Sequence, residues 1–217
     1  MTRPAANAAG CECTPIALGR FDFQQGKRGL RLTTDTVLLA QFVQCEERPV
    51  SIIDLGCGYG PIPLLLSDAF DDCHITGVEI DAEAAAICSR NVEVNGLKHR
   101  ISILNADIRA LPDSFAEGSF PIVVSNPPYM KIGSARISPD RQRAIARSEQ
   151  TCTLRDIITT SRHLAGNAGR IFFVYVADRF DEMIEEARYA GLAPVRVRFV
   201  HTAPNRPPER FLIEMRP

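Results

Sequence analysis

The segment Ser51-Ile52-Ile53-Asp54-Leu55-Gly56-Cys57-Gly58-Tyr59-Gly60 constrains the fold of this chain more than any other. An apolar, β-branched start running into alternate glycines, then the apolar stretch Ile62 to Leu66, predicts a buried strand, a tight turn and a helix. That succession is the core unit of an open, mostly parallel α/β sheet. The glycines let a ligand approach the backbone closely, and the first turn of the helix would point free N–H groups at it. The loop therefore suits a nucleotide-type cofactor. A dinucleotide loop would carry a further glycine three places after Gly58, where this chain has Pro61, which argues against a nicotinamide enzyme.

Two further strands extend the unit. His74 to Val78 ends at Glu79, 25 positions after Asp54, where a carboxylate can accept hydrogen bonds from both ribose hydroxyls of an adenosine-like ligand. Either Glu79 or Asp81 could instead cap the helix that starts near Ala82; Glu79 is assigned to ribose and Asp81 to the cap. Arg100 to Leu104 ends in Asn105-Ala106-Asp107, and Asp107 could accept a hydrogen bond from an adenine amine.

A fourth apolar run, Pro121 to Val124, leads into Asn126-Pro127-Pro128-Tyr129. An Asn amide oxygen and the carbonyl of Pro127 can together accept both hydrogens of a planar NH2 group, while Tyr129 offers a face on which a ring can stack. Such a nitrogen is a poor nucleophile because its lone pair is delocalised. Two acceptors drawing on its hydrogens can pyramidalise it and aim the lone pair at an electrophile. The competing reading is a turn stiffened by two prolines and capped by Asn.

The rest of the chain fits one α/β domain. Asp81 can open a helix that Asn95-Gly96 ends, with Ala84, Ala85, Ile87, Cys88 and Val92 facing the sheet. Thr153 can cap a helix through Leu164, followed by the strand Arg170 to Val176. Asp178 is read as the cap of a helix that Gly191 closes, and the alternating runs Pro194 to Val200 and Arg210 to Met215 as a terminal antiparallel hairpin. Residues 1–19 are expected to be a disordered tail and 20–217 a single domain with an N-terminal extension over 20–49. No stretch reaches the ~20 apolar residues of a membrane span, which points to a cytoplasmic protein. Seven scattered cysteines indicate neither a disulfide framework nor a metal site; Cys11 and Cys13 are the one close pair, and Cys57 suits the loop by its small size.

Charge is unevenly distributed behind a net value of −1. Residues 50–120 carry eleven acids against four bases, whereas 131–162 carries seven bases, Lys131, Arg136, Arg141, Arg143, Arg147, Arg155 and Arg162, against three acids. Any one of these arginines could simply sit on a solvated helix and pair with Glu149 or Asp156. Clustered beside the Asn126 loop, they favour a nucleic acid substrate over a small amine.

Asp-x-Gly-x-Gly-x-Gly at 54–60, an acid after the second strand, Asp107 after the third and Asn-Pro-Pro-Tyr after the fourth resemble the class I S-adenosylmethionine-dependent methyltransferases. The resemblance implies a Rossmann-like, seven-stranded, mostly parallel sheet with an antiparallel terminal hairpin and helices on both faces. It implies a cofactor pocket of Asp54, Gly56, Cys57, Gly58, Gly60, Glu79, Ile80, Asp107 and Asn126, and a catalytic loop of Asn126, Pro127, Pro128 and Tyr129. The opening Phe21-x-Phe23-Gln24-Gln25 and Leu30 to Ala40, with Ala144 to Glu149, Cys152 to Ile157 and Val195 to His201, is similar to the bacterial methyltransferases that modify the exocyclic amine of adenine in valine tRNA beside the anticodon. By that likeness Thr34 and Asp35 line the methionine end of the pocket; the physical alternative is a cap for a helix over Val37 to Val43. RNA, and tRNA in particular, is then the expected partner. The same tetrapeptide serves protein glutamine methyltransferases acting on release factors, but those carry a larger helical domain in front, and only about fifty residues precede the loop here. A ribosomal RNA base methyltransferase, or a non-catalytic module that binds the cofactor or RNA, would also fit these motifs.

Overall fold

The computed structural model describes residues 13–26, 32–45, 49–127 and 152–217. A hairpin of β1 (Cys13–Leu18) and β2 (Phe21–Gly26) is followed by α1 (Thr34–Phe42). Then come β3 (Ser51–Leu55), α2 (Pro61–Ala69), β4 (His74–Glu79), α3 (Ala82–Val94) and β5 (Ile101–Asn105). The second half holds α4 (Leu111–Ser114), β6 (Ile122–Ser125), α5 (Leu154–Ala165), β7 (Arg170–Val176), α6 (Phe180–Tyr189), β8 (Ala193–Val200) and β9 (Arg210–Arg216). Strands β3 to β9 form a seven-stranded sheet in the order β5-β4-β3-β6-β7-β9-β8, parallel from β5 to β7, with β9 antiparallel to both β7 and β8.

Strands covered on both faces read as continuous apolar runs, which is why Ile52-Ile53 and Ile122-Val123-Val124 lack polar alternation. Ile52, Ile75, Ile122 and Phe172 point into one apolar layer shared with β2 and α1 to α3; Ile53, Val78, Val123 and Phe173 point into another shared with α4 to α6. All eight are fully buried, each contributing roughly 1.5–3 kcal/mol against exposure. No helix among the described residues is long and apolar enough to cross a membrane.

Local signals set most helix ends. Asp81 Oδ1 accepts from Ala84 N at 2.9 Å, and Gly96 turns left-handed just beyond the last turn of α3. Thr153 and Asp156 form a reciprocal capping box at the start of α5. Three expectations are corrected. Helix α1 starts at Thr34 rather than Val37: Thr33 holds the cap position, so Thr34 and Asp35 lie inside the first turn, and the Asp35 carboxylate pairs with Arg210 of β9. Asp178 does not cap α6: it lies in a 3-10 turn, Ala177–Arg179, and the cap position falls to Arg179, whose guanidinium holds Glu182. Residues 13–18, expected to belong to an unstructured tail, pair with 21–26 as β1.

Candidate active site

Leu55 pairs with Ser125 across β3 and β6, so Gly56 and Asn126 leave the sheet side by side. This is the point where successive strands begin to add on opposite sides, and it opens a crevice at their carboxyl ends. Ser125 Oγ donates to Leu55 O at 2.7 Å and ties the two strand ends together.

The glycine loop is knitted onto β4. The N–H groups of Gly56 and Cys57 both donate to Val78 O at 2.9 Å, and that of Gly58 to Glu79 Oε2 at 2.9 Å. Gly60 begins α2 at φ 86°, and a Cβ there would lie 2.4 Å from Cys88 Sγ, so both backbone and space demand glycine. Cys57 is buried with its sulfur 4.0 Å from that of Cys88, filling the space behind the loop.

Glu79 Oε1 accepts from Asp81 N at 2.9 Å, so its two oxygens order both the loop and the turn after β4, and the carboxylate keeps acceptor capacity for a further donor. Burial pushes its carboxyl above the ordinary value, against the pull of these backbone bonds. Ile80 beside it is 49% exposed, an apolar surface at the rim of the crevice. Asp54 is fully buried, and neither of its oxygens has a hydrogen-bond partner. Burial drives its carboxyl well above the usual range, with the charge of Glu79 adding to the effect.

Asn126 Nδ2 donates to Thr36 Oγ1 at 3.4 Å, and its Oδ1 is buried without a partner. Pro127 beside it is buried. Asp107, after β5, accepts from the backbone N of Arg109 at 2.9 Å and from its Nε at 3.1 Å, and the Arg109 guanidinium holds its carboxyl below the ordinary range. Thr34 is exposed, and Asp35 meets Arg210 Nε at 3.0 Å. The fold thus brings Asp54, Gly56 to Gly60, Glu79, Ile80 and Asn126 to the neighbouring carboxyl ends of β3, β4 and β6, while Asp35 and Asp107 are engaged by arginines. Pro128, Tyr129, Lys131, Arg136, Arg141, Arg143 and Arg147 lie outside the described residues.

Two residues at this site carry no sequence-level assignment. Thr36 reaches the Asn126 loop from α1. Asn91, 1% exposed on α3, donates from Nδ2 to Tyr59 O of the glycine loop at 2.8 Å. The one sequence signal for Asn91 is its place three residues after Cys88 on the apolar face of α3, where an amide needs a partner.

The arrangement fits an adenosine-bearing sulfonium cofactor. The orphaned oxygens of Asp54 call for donors or a cation, Glu79 retains acceptor capacity for hydroxyls, Ile80 offers an apolar cover, and Asn126 Oδ1 offers a dry acceptor for an amine.

Residues 31–177 match the family model described as Methyltransferase small domain. The chain is 34% identical to the tRNA1(Val) (adenine(37)-N6)-methyltransferase of Porphyromonas gingivalis, over 91% of this chain and 79% of that protein. It is 31% identical to the enzyme of the same name from Parabacteroides distasonis, over 90% and 81%. Among solved structures, a protein described as a predicted O-methyltransferase from Agrobacterium tumefaciens superposes with a TM-score of 0.65 at 21% identity, covering 84% of this chain and 80% of that one. A SAM dependent methyltransferase from Aquifex aeolicus superposes at 0.61 with 12% identity, covering 83% and 88%.

Proposed function

The chain belongs to the methyltransferase small domain family, and from that premise we propose that it transfers a methyl group from S-adenosylmethionine to the exocyclic amine of adenine in tRNA, valine tRNA beside the anticodon being the substrate its relatives are named for. The single observation that carries this reading is Asn126 Oδ1, a buried acceptor without a protein partner beside the glycine loop. When bound, the cofactor supplies a methyl group activated by a positively charged sulfur.

Everything else falls to the chain's own residues. Asp54 offers its buried carboxylate to the donors and positive charge of the methionine end, which would stabilise its ionised form. Glu79 accepts the ribose hydroxyls, Ile80 covers the adenine ring, and Asp107, freed in part from Arg109, can receive the adenine amine. At the target base, Asn126 Oδ1 and the Pro127 carbonyl accept the two amine hydrogens, and Tyr129 stacks on the ring after the base is flipped from its loop. With its hydrogens so held the nitrogen pyramidalises and aims its lone pair at the methyl carbon; the N–C bond would form as the S–C bond breaks, that electron pair staying on sulfur as a neutral thioether, and the nitrogen would become acidic. Its proton then passes to water, so no strong base is needed and Asn126 acts by orientation. Lys131, Arg136, Arg141, Arg143 and Arg147 supply phosphate contacts. A tRNA substrate also places the protein in the cytoplasm.

The test is transfer of radiolabelled methyl from S-adenosylmethionine to unmodified total tRNA and, in parallel, to purified release factors, with nucleoside mass spectrometry on labelled RNA. N6-methyladenosine in valine tRNA is the expected product. Label only in the release factor would replace this reading with a glutamine methyltransferase.

A further inference from the structure

An Asn side chain is nearly symmetric in shape and opposite in chemistry at its two ends. Oδ1 only accepts hydrogen bonds and Nδ2 only donates them. A half-turn of the Asn126 amide would set two donors against an amine that is itself a donor. The amide must therefore be held against that half-turn. The two ends of Asn126 are unequally served: Nδ2 meets Thr36 Oγ1 at 3.4 Å, whereas Oδ1 is buried without a partner.

We propose that Thr36 is a positioning residue, whose hydroxyl accepts from Nδ2 of Asn126, pins the amide in place and leaves Oδ1, the end without a protein partner, for the amine to be methylated. The inference rests on the amine-methylation reading above and adds a residue outside the strand-and-loop machinery. Thr36 is 4% exposed, which limits competition by water for its lone pairs. Its helix is fixed at both ends: Asp35 meets Arg210 Nε at 3.0 Å in the first turn, and Arg196 Nη2 donates to Phe42 O at 2.7 Å in the last. Between them Leu39 and Phe42 are fully buried in the core. Helix α1 therefore delivers the Thr36 hydroxyl at a set height to a loop 90 positions further along the chain.

Thr36→Val keeps the shape and removes the acceptor; Thr36→Ser keeps the hydroxyl. Steady-state kinetics on tRNA, cofactor affinity by calorimetry and the side-chain amide signals of 15N-asparagine-labelled protein, assigned with an Asn126→Ala control, separate the possibilities. Thr36→Val should lower kcat about 10- to 100-fold, leave cofactor affinity within about 2-fold, and shift or broaden the Asn126 NH2 signals. Thr36→Ser should restore both rate and signals. Thr36→Ala guards against misfolding of the Val variant, and melting curves accompany all three. A Val variant with wild-type kcat and unmoved Asn126 signals overturns the role of Thr36 and leaves methylation standing. Wild-type protein inert toward every RNA overturns the function instead, and the amide signals then decide Thr36 by themselves.

Discussion

Asn91 makes to Gln24 both of the hydrogen bonds that a neighbouring strand would make: its Oδ1 accepts from Gln24 N at 2.9 Å and its Nδ2 donates to Gln24 O at 2.8 Å. Asn95, one turn along α3, repeats the pair with Asp22 at 3.0 and 2.8 Å. The spacings match, since four residues of helix rise about 6 Å and two residues of strand about 6.6 Å. Two amides thus satisfy the outer edge of β2, which would otherwise be open to pairing with another chain. Because Asn91 Nδ2 also donates to Tyr59 O, the hairpin and the glycine loop share one anchor.

Removing that anchor should loosen both. Asn91→Ala leaves Gln24 N–H and C=O without their partner, at an expected cost of about 1–3 kcal/mol in urea unfolding. Cofactor affinity should fall with it. Native-state hydrogen exchange at Gln24 checks the cause: unchanged protection would mean that the hairpin is held by its apolar face alone.

Asn126→Ala removes an interaction made chiefly in the transition state. Turnover should fall by about 10²–10³-fold, while cofactor affinity stays nearly constant. Rates near wild type would exclude Asn126 from the chemistry.

Glu79→Ala should weaken cofactor binding by about 1–3 kcal/mol, the usual cost of a lost hydrogen bond to a charged group. The same change frees the N–H groups of Gly58 and Asp81, so part of the loss comes from a slacker loop. Glu79→Gln, which keeps an acceptor at each site only in part, should fall between the two in calorimetry. Equal affinity for all three proteins would move the ribose site elsewhere.

Asp54 predicts a pH dependence whose sign is fixed by its surroundings. Burial, then the charge of Glu79, raises its carboxyl pKa in the folded protein. The stability contributed by such a group is fully present below its unfolded pKa of about 3.9 and is lost as pH rises through the raised folded value. Burial shifts Glu79 in the same direction. The cofactor-free protein should therefore melt at lower temperature as pH climbs from about 4 into the neutral range. Asp54→Asn should flatten that slope and melt higher than wild type at about pH 8, yet gain less from added S-adenosylmethionine. A variant that melts lower than wild type at that pH would show that the carboxylate is stabilised in the folded state.

What can be read along the chain is what depends on neighbours in sequence. The strand before Gly56, the acid closing β4, the caps at Asp81 and Thr153 and the terminal hairpin are set by side-chain period, glycine placement and short-range capping bonds. The order of those local signals also carries the resemblance to methyltransferases. Asp178 marks where local signals stop being sufficient: a capping residue at the right spacing loses its place because a 3-10 turn intervenes before α6. Asp35 has the spacing of a cap and instead meets Arg210, 175 positions away. Nor does any local pattern foretell that Asn91 will stand in for a strand, that Asp54 will be sealed without a partner, or that Thr36 will meet Asn126. Sequence by itself determined the strands of the main sheet, from β3 to β9, and their order along the chain; tertiary structure alone decided that 13–26 folds as a hairpin and which polar groups at the strand ends are engaged and which are left for a ligand, because burial and partnership depend on how distant elements pack.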